Sequence, residues 1–115
     1  MALKMEMVTF DCDEPATLAR WWADQFDGES RELIPGEFVA VNRSEGPQLG
    51  FQKVPDPTPG KNRVHLDFTT PDVDGEVARL VAAGAGEVGR HSVGESFRWV
   101  VLADPAGNLF CVVGQ

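Results

Sequence analysis

His65 and Asp67 stand two residues apart in Lys61-Asn62-Arg63-Val64-His65-Leu66-Asp67-Phe68-Thr69-Thr70-Pro71-Asp72. Val64, Leu66 and Phe68 alternate with His65, Asp67 and Thr69, which is the pattern of a strand with one apolar and one polar face running into a helix start. On such a strand the imidazole and the carboxylate share a face, with Cα atoms about 6–7 Å apart. The pair suits general acid–base chemistry in which the carboxylate tunes the imidazole. It equally suits a structural histidine hydrogen-bonded to its neighbour. Cys111 is a nucleophile only if a base lies beside it, and His65 is the candidate base. Without one, Cys111 is a small apolar core residue.

These side chains need a scaffold, and the chain supplies one twice. Met5 to Cys12 is a first strand, with Val8, Phe10 and Cys12 on one face and Met7, Thr9 and Asp11 on the other. Asp13-Glu14-Pro15 reads as a helix start with an Asx cap, and the helix runs to about Phe26, with Gly28 stopping it. Its Leu18, Trp21, Trp22, Gln25 and Phe26 stripe is read as packing. Short strands follow over Ser30–Ile34, Glu37–Asn42 and Gln48–Val54, punctuated by Pro35-Gly36 and Gly46-Pro47. The Pro-rich stretch after Val54 cannot hold a strand ladder and reads as a stiff connection.

The second half repeats that order. Val8-Thr9-Phe10-Asp11 matches Val64-His65-Leu66-Asp67, and Leu18-Ala19-Arg20-Trp21 matches Val77-Ala78-Arg79-Leu80. Thr70-Pro71-Asp72 caps a helix with a Val73, Val77, Leu80, Val81 stripe, ended by Ala83-Gly84-Ala85-Gly86. Strands are expected over Glu87–Ser92, Phe97–Ala103 and Leu109–Val113. Asp104-Pro105-Ala106-Gly107-Asn108 forms a tight turn between the last two. The fold class is therefore α+β, as tandem βαβββ modules: module one about 5–54, a linker over 55–62, and module two about 63–115, within one domain spanning 1–115.

Composition narrows the partners. At 115 residues the chain is long enough for one domain with a real core. A net charge of −8, with only three lysines and no basic run, excludes a nucleic-acid backbone as partner. No apolar run approaches the roughly 20 residues of a membrane span, and Met1 to Glu6 lacks the pattern of an export signal. The expectation is a cytoplasmic protein whose two cysteines, Cys12 and Cys111, stay as thiols.

The duplicated βαβββ order, the Val-His-Leu-Asp strand, the Ala-Gly-Ala helix end and the terminal Asp-Pro-x-Gly-Asn-x-Phe hairpin resemble the vicinal oxygen chelate superfamily. Within it the chain is most similar to the small glyoxalase-like and bleomycin-resistance-like proteins, over about residues 5 to 113. The resemblance implies curled sheets enclosing a cavity as a half-open barrel, with helices outside, and a homodimer. It implies either a lyase or isomerase acting on a small organic molecule, or a metal-free protein binding a drug or metabolite. Fold alone does not choose between them.

Metal-dependent relatives draw a His, Gln or Glu from the first and last strand of each module. His65 matches one such position, and Cys111 falls where a Glu is usual. Met7 or Thr9, and Leu49 or Phe51, fall at the other two. Such a set would not hold a hard divalent ion, so no cofactor is expected at the usual place. A rebuilt site from His65, Asp67, Asp11 and Cys111 could hold zinc or iron. Alternatively Asp11 and Asp67, at matching places in the halves, accept backbone or Arg63 hydrogen bonds. His65 and Asp67 are the catalytic candidates. Met7, Thr9, Asp11, Phe51, Trp99 and Cys111 are expected to line the ligand cavity, and His91, in a loop or strand end, has no expected role.

Overall fold

The alternating runs become strands and the apolar stripes become helices. The computed structural model describes residues 5–57, 59 and 65–114. Its elements are β1 (Met7–Cys12), α1 (Pro15–Gln25), β2 (Glu29–Ile34), β3 (Phe38–Asn42), β4 (Gln48–Lys53), β5 (Leu66–Thr70), α2 (Val73–Ala83), β6 (Gly86–Val93), β7 (Phe97–Ala103) and β8 (Leu109–Gly114). The chain divides into two units, Met1–Thr58 and Pro59–Gln115. Val64, Arg63 and part of the Pro-rich connection lie outside the described residues. The fold is α+β, and each unit is a βαβββ module with one open, mixed four-stranded sheet. The sheet orders are β1-β4-β3-β2 and β5-β8-β7-β6, with the first and last strand of each unit paired in parallel.

In unit 1, α1 covers the sheet face that carries Val8, Phe10 and Cys12. Trp22 is 1% exposed and lies 5.7 Å from the ring of Phe10, with Phe26 stacked at 6.1 Å and Trp21 edge-on at 5.0 Å. Two sequence expectations shift here. Asp13 does not cap α1; Glu14 is the N-cap residue, and its side chain makes no capping bond. Pro15 at the first helical position has no N–H, which leaves one fewer unpaired donor at the helix start. Nor does Gly28 supply the left-handed turn, because Asp27 takes φ 52° instead. Gly28 is small for another reason: a Cβ there would collide with the carbonyl oxygen of Asn42 on β3.

In unit 2, the backbone N–H of Gly75 donates to Asp72 Oδ1 at 3.1 Å, the cap expected for α2. Val73, Val77 and Leu80 are buried against the sheet, whereas Val81 is 43% exposed and drops out of the expected stripe. The β7–β8 turn is held by the buried Asp104. Its Oδ1 accepts from the N–H groups of Ala106 at 3.0 Å and Asn108 at 2.8 Å, while Gly107 supplies φ 92°. Both cysteines are buried thiols. No helix among the described residues is long and apolar enough to cross a membrane.

Candidate functional site

Strand register decides which side chains meet. β5 and β8 pair in parallel with Leu66 opposite Phe110 and Asp67 opposite Cys111. Phe110 is fully buried on the α2 side, where the ring of Phe68 meets it edge-on at 5.9 Å. By the period-two alternation of strands, Asp67 and Cys111 therefore emerge together on the helix-free face. His65, two residues before Asp67, joins them. His65 Nε2 lies 3.5 Å from Asp67 Oδ1. One donor atom from each of His65, Asp67 and Cys111 falls within 4.8 Å of the others. The imidazole and carboxylate are exposed, while Cys111 is only 7% exposed and forms the floor.

The same face continues into an apolar strip and an aromatic wall. Val101 stands opposite Cys111, Val113 opposite Trp99, and Trp99 opposite His91. The His91 ring stacks on Trp99 at 5.2 Å and 25°, and Phe97 tilts against Trp99 at 5.5 Å. Gly89 leaves room for this stack, since a Cβ there would sit 3.3 Å from His91 Nε2. Trp99 lies on the same face as Cys111, and the stacked His91 beside it is a residue to which sequence reasoning gave no role. The missed signal was the hairpin: a three-residue loop over 94–96 pairs Val93 with Phe97, and counting back sets His91 against Trp99.

Unit 1 answers a question the sequence left open. β1 ends three residues before α1, and β5 ends three before α2, so Met7 corresponds to His65 and Thr9 to Asp67. Asp11 is therefore not the counterpart of Asp67. Thr9 pairs with Gly50, which makes Gly50, rather than Leu49 or Phe51, the counterpart of Cys111. The helix-free face of unit 1 has Met7 Sδ and Thr9 Oγ1 crowding the space above Gly50, at 2.7 and 3.0 Å from where a Cβ would stand. Phe51 was expected to line a ligand cavity and does not. It is 0% exposed and stacked on Phe10 at 5.1 Å, because its parity turns it toward α1. Asp11 is exposed on β1, opposite Gln52, in the other unit from the His65 cluster.

A shallow depression of about 200 Å³ is lined by Val73, Arg90, His91, Ser92, Arg98, Trp99 and Val100. By alternation Arg90, Ser92, Arg98 and Val100 belong to the α2 side of the sheet, away from Cys111, while His91 and Trp99 belong to the Cys111 side. Asp74 bridges Arg90 at 3.1 Å and Arg98 at 3.4 Å there. The Arg90 and Arg98 guanidiniums hold the Asp74 carboxyl below the usual carboxylate range, and Arg90 does the same to Glu87. The arginines are thus already neutralised, and they tie the start of α2 to β6 and β7.

The model of the glyoxalase-like domain family matches residues 7–113. The chain belongs to that family. Solved structures of the same superfamily share its fold. One is a glyoxalase/bleomycin resistance protein/dioxygenase family enzyme from Burkholderia phytofirmans PsJN, 18% identical over 97% of this chain and 98% of that one, with a TM-score of 0.80. A superfamily member from Sphaerobacter thermophilus DSM 20745 is 18% identical over 100% and 99%, with a TM-score of 0.77. A lactoylglutathione lyase from Agrobacterium tumefaciens is 19% identical over 99% and 94%, with a TM-score of 0.71. The comparison with curated proteins gives no match.

The four-donor divalent centre implied by the resemblance does not fit this glyoxalase-like chain. Unit 1 offers a thioether at Met7 and no side chain at all at Gly50, and hard divalent ions require oxygen or imidazole donors.

Proposed function

We propose that the chain binds a flat, amphipathic organic molecule on the helix-free face of unit 2. One observation carries this reading: the polar cluster of His65, Asp67 and Cys111 and the stacked His91–Trp99 pair share one sheet face, joined by Val101 and Val113. An apolar floor with a few convergent polar groups is the usual chemistry of a small-molecule site. The indole offers a large, rigid stacking surface. A net charge of −8 draws cationic ligands toward the protein. The family contains both binders and enzymes, and this reading needs no metal centre.

The test is a thermal-shift panel of planar aromatic compounds, cationic and neutral. A true ligand at about 100 times its Kd stabilises the fold by roughly 2.7 kcal/mol, which for a chain this size raises Tm on the order of 10 °C. A panel in which no planar compound moves Tm counts against the reading.

A second reading is favoured by the 3.5 Å approach of His65 Nε2 to Asp67 Oδ1. Here the chain is a lyase or isomerase, and His65 moves a proton on the bound molecule while Asp67 orients the ring. It requires that His65→Ala abolish turnover while circular dichroism and ligand affinity stay close to those of the parent. The same family-level reading carries a cytoplasmic setting and a homodimer. A light-scattering mass of one chain at micromolar concentration removes the dimer.

A further inference from the structure

We propose that Arg90, Ser92 and Arg98 form a clamp for a phosphoryl group on the α2 side of unit 2, with the Asp74 carboxylate as its built-in competitor. The clamp goes beyond the ligand reading above, because these three side chains lie on the sheet face opposite Cys111.

Strand register assembles it. Ser92 stands directly opposite Arg98 on the paired strands β6 and β7, and Arg90 lies two residues before Ser92 on the same face. Opposed residues on antiparallel strands hold their Cβ atoms about 4.5–5.5 Å apart, so the backbone groups two guanidiniums and a hydroxyl around one spot. The depression there also has Val73 and Val100, both buried, in its lining. That apolar wall suits the organic part of a phosphate monoester.

The two arginines are held unequally. Arg90 is fixed: its Nε and Nη2 donate to Glu87 at 2.8 and 3.0 Å, and its Nη1 donates to Asp74 at 3.1 Å. The Arg98 guanidinium reaches only Asp74, among the described residues, through a fork at 3.5 and 3.4 Å. Charge-assisted bonds of this kind run about 2.7–2.9 Å, so the Arg98 fork falls short of its full strength. A guanidinium carries five N–H donors, and neither arginine spends all of them here. The Asp74 carboxylate brings two oxygens on a short stem from α2. A phosphoryl group brings three acceptor oxygens, one each for Arg98, Arg90 and the Ser92 hydroxyl. Because Asp74 and Glu87 balance the two arginines, the incoming anion displaces Asp74 rather than adding to it.

The test titrates the full chain with inorganic phosphate and with phenyl phosphate at about pH 7.5, where the phosphoryl group is mostly a dianion, at constant ionic strength. Backbone amide resonances report the binding. The expected result is saturable shifts confined to the Arg90–Val93 and Arg98–Val100 stretches and the start of α2. Arg98→Gln weakens binding about 10-fold or more, the scale of a lost hydrogen bond to a charged group. Asp74→Asn tightens it by about 10-fold on the same scale, a gain that a merely structural Asp74 would not give. Arg20→Gln, which removes the same charge from exposed α1 in unit 1, leaves the affinity unchanged. Tighter binding of phenyl phosphate assigns the clamp to a phosphate monoester, and equal binding assigns it to free phosphate; either supports the proposal. Absence of saturable shifts with both probes overturns it. So does an Arg98→Gln protein that binds like the parent, or an Asp74→Asn protein that binds no tighter. Should Asp74→Asn fail to fold, the Arg98→Gln comparison decides alone.

Discussion

Trp22→Ala lowers stability by about 3–5 kcal/mol, the range for truncating a large buried aromatic. The indole is 1% exposed and is contacted by Phe10, Trp21 and Phe26, so its loss opens a cavity between α1 and the sheet that none of these rings can fill without leaving its own packing. A chain of this length has a total stability of roughly 6–17 kcal/mol, so the variant forfeits a large fraction of it. Urea denaturation followed by far-ultraviolet circular dichroism gives the comparison: the midpoint falls and the slope is unchanged. Trp21→Ala, which removes a half-buried ring at the edge of the cluster, costs clearly less. A Trp22→Ala loss below 1 kcal/mol contradicts the assignment of this ring to the centre of unit 1.

Trp99→Ala weakens the binding of any planar ligand identified by thermal shift by about 30-fold, equivalent to roughly 2 kcal/mol. The indole supplies the stacking surface and also fixes the His91 imidazole, so its removal takes away two contacts together. His91→Ala leaves the indole in place and costs less. Isothermal titration of the three proteins orders them parent, His91→Ala, Trp99→Ala. Equal affinities across the set would place the ligand elsewhere.

Much of the fold is legible from residue patterns because local chemistry decides it. The Asp104-Pro105-Ala106-Gly107-Asn108 turn, the Asp72 cap and the strand Phe97–Ala103 each follow from side chains acting on their own backbone or from simple alternation. The cluster of His65, Asp67 and Cys111 was also legible in part, since alternation puts the first two on one face. What escaped is set by pairing between distant strands. Whether Cys111 corresponds to Gly50 or to Phe51 depends on a one-residue register, and a one-residue shift turns a residue to the opposite face. That is why Phe51 belongs under α1 and not in a binding face. Asp13 escaped for a different reason: a residue suited to capping precedes Pro15, but the chain enters the helix one residue later, at Glu14.

The parallel pairing that joins the first and last strand of each unit orders events during synthesis. Unit 1 can close its sheet once β4 has left the ribosome. In unit 2, β5 has no neighbour in its sheet except β8, which ends at Gly114. The sheet of unit 2 must therefore wait for β8 to be made before it can zip. A chain cut before β8 would leave β5 with a bare hydrogen-bonding edge, the kind of edge that recruits other chains into aggregates.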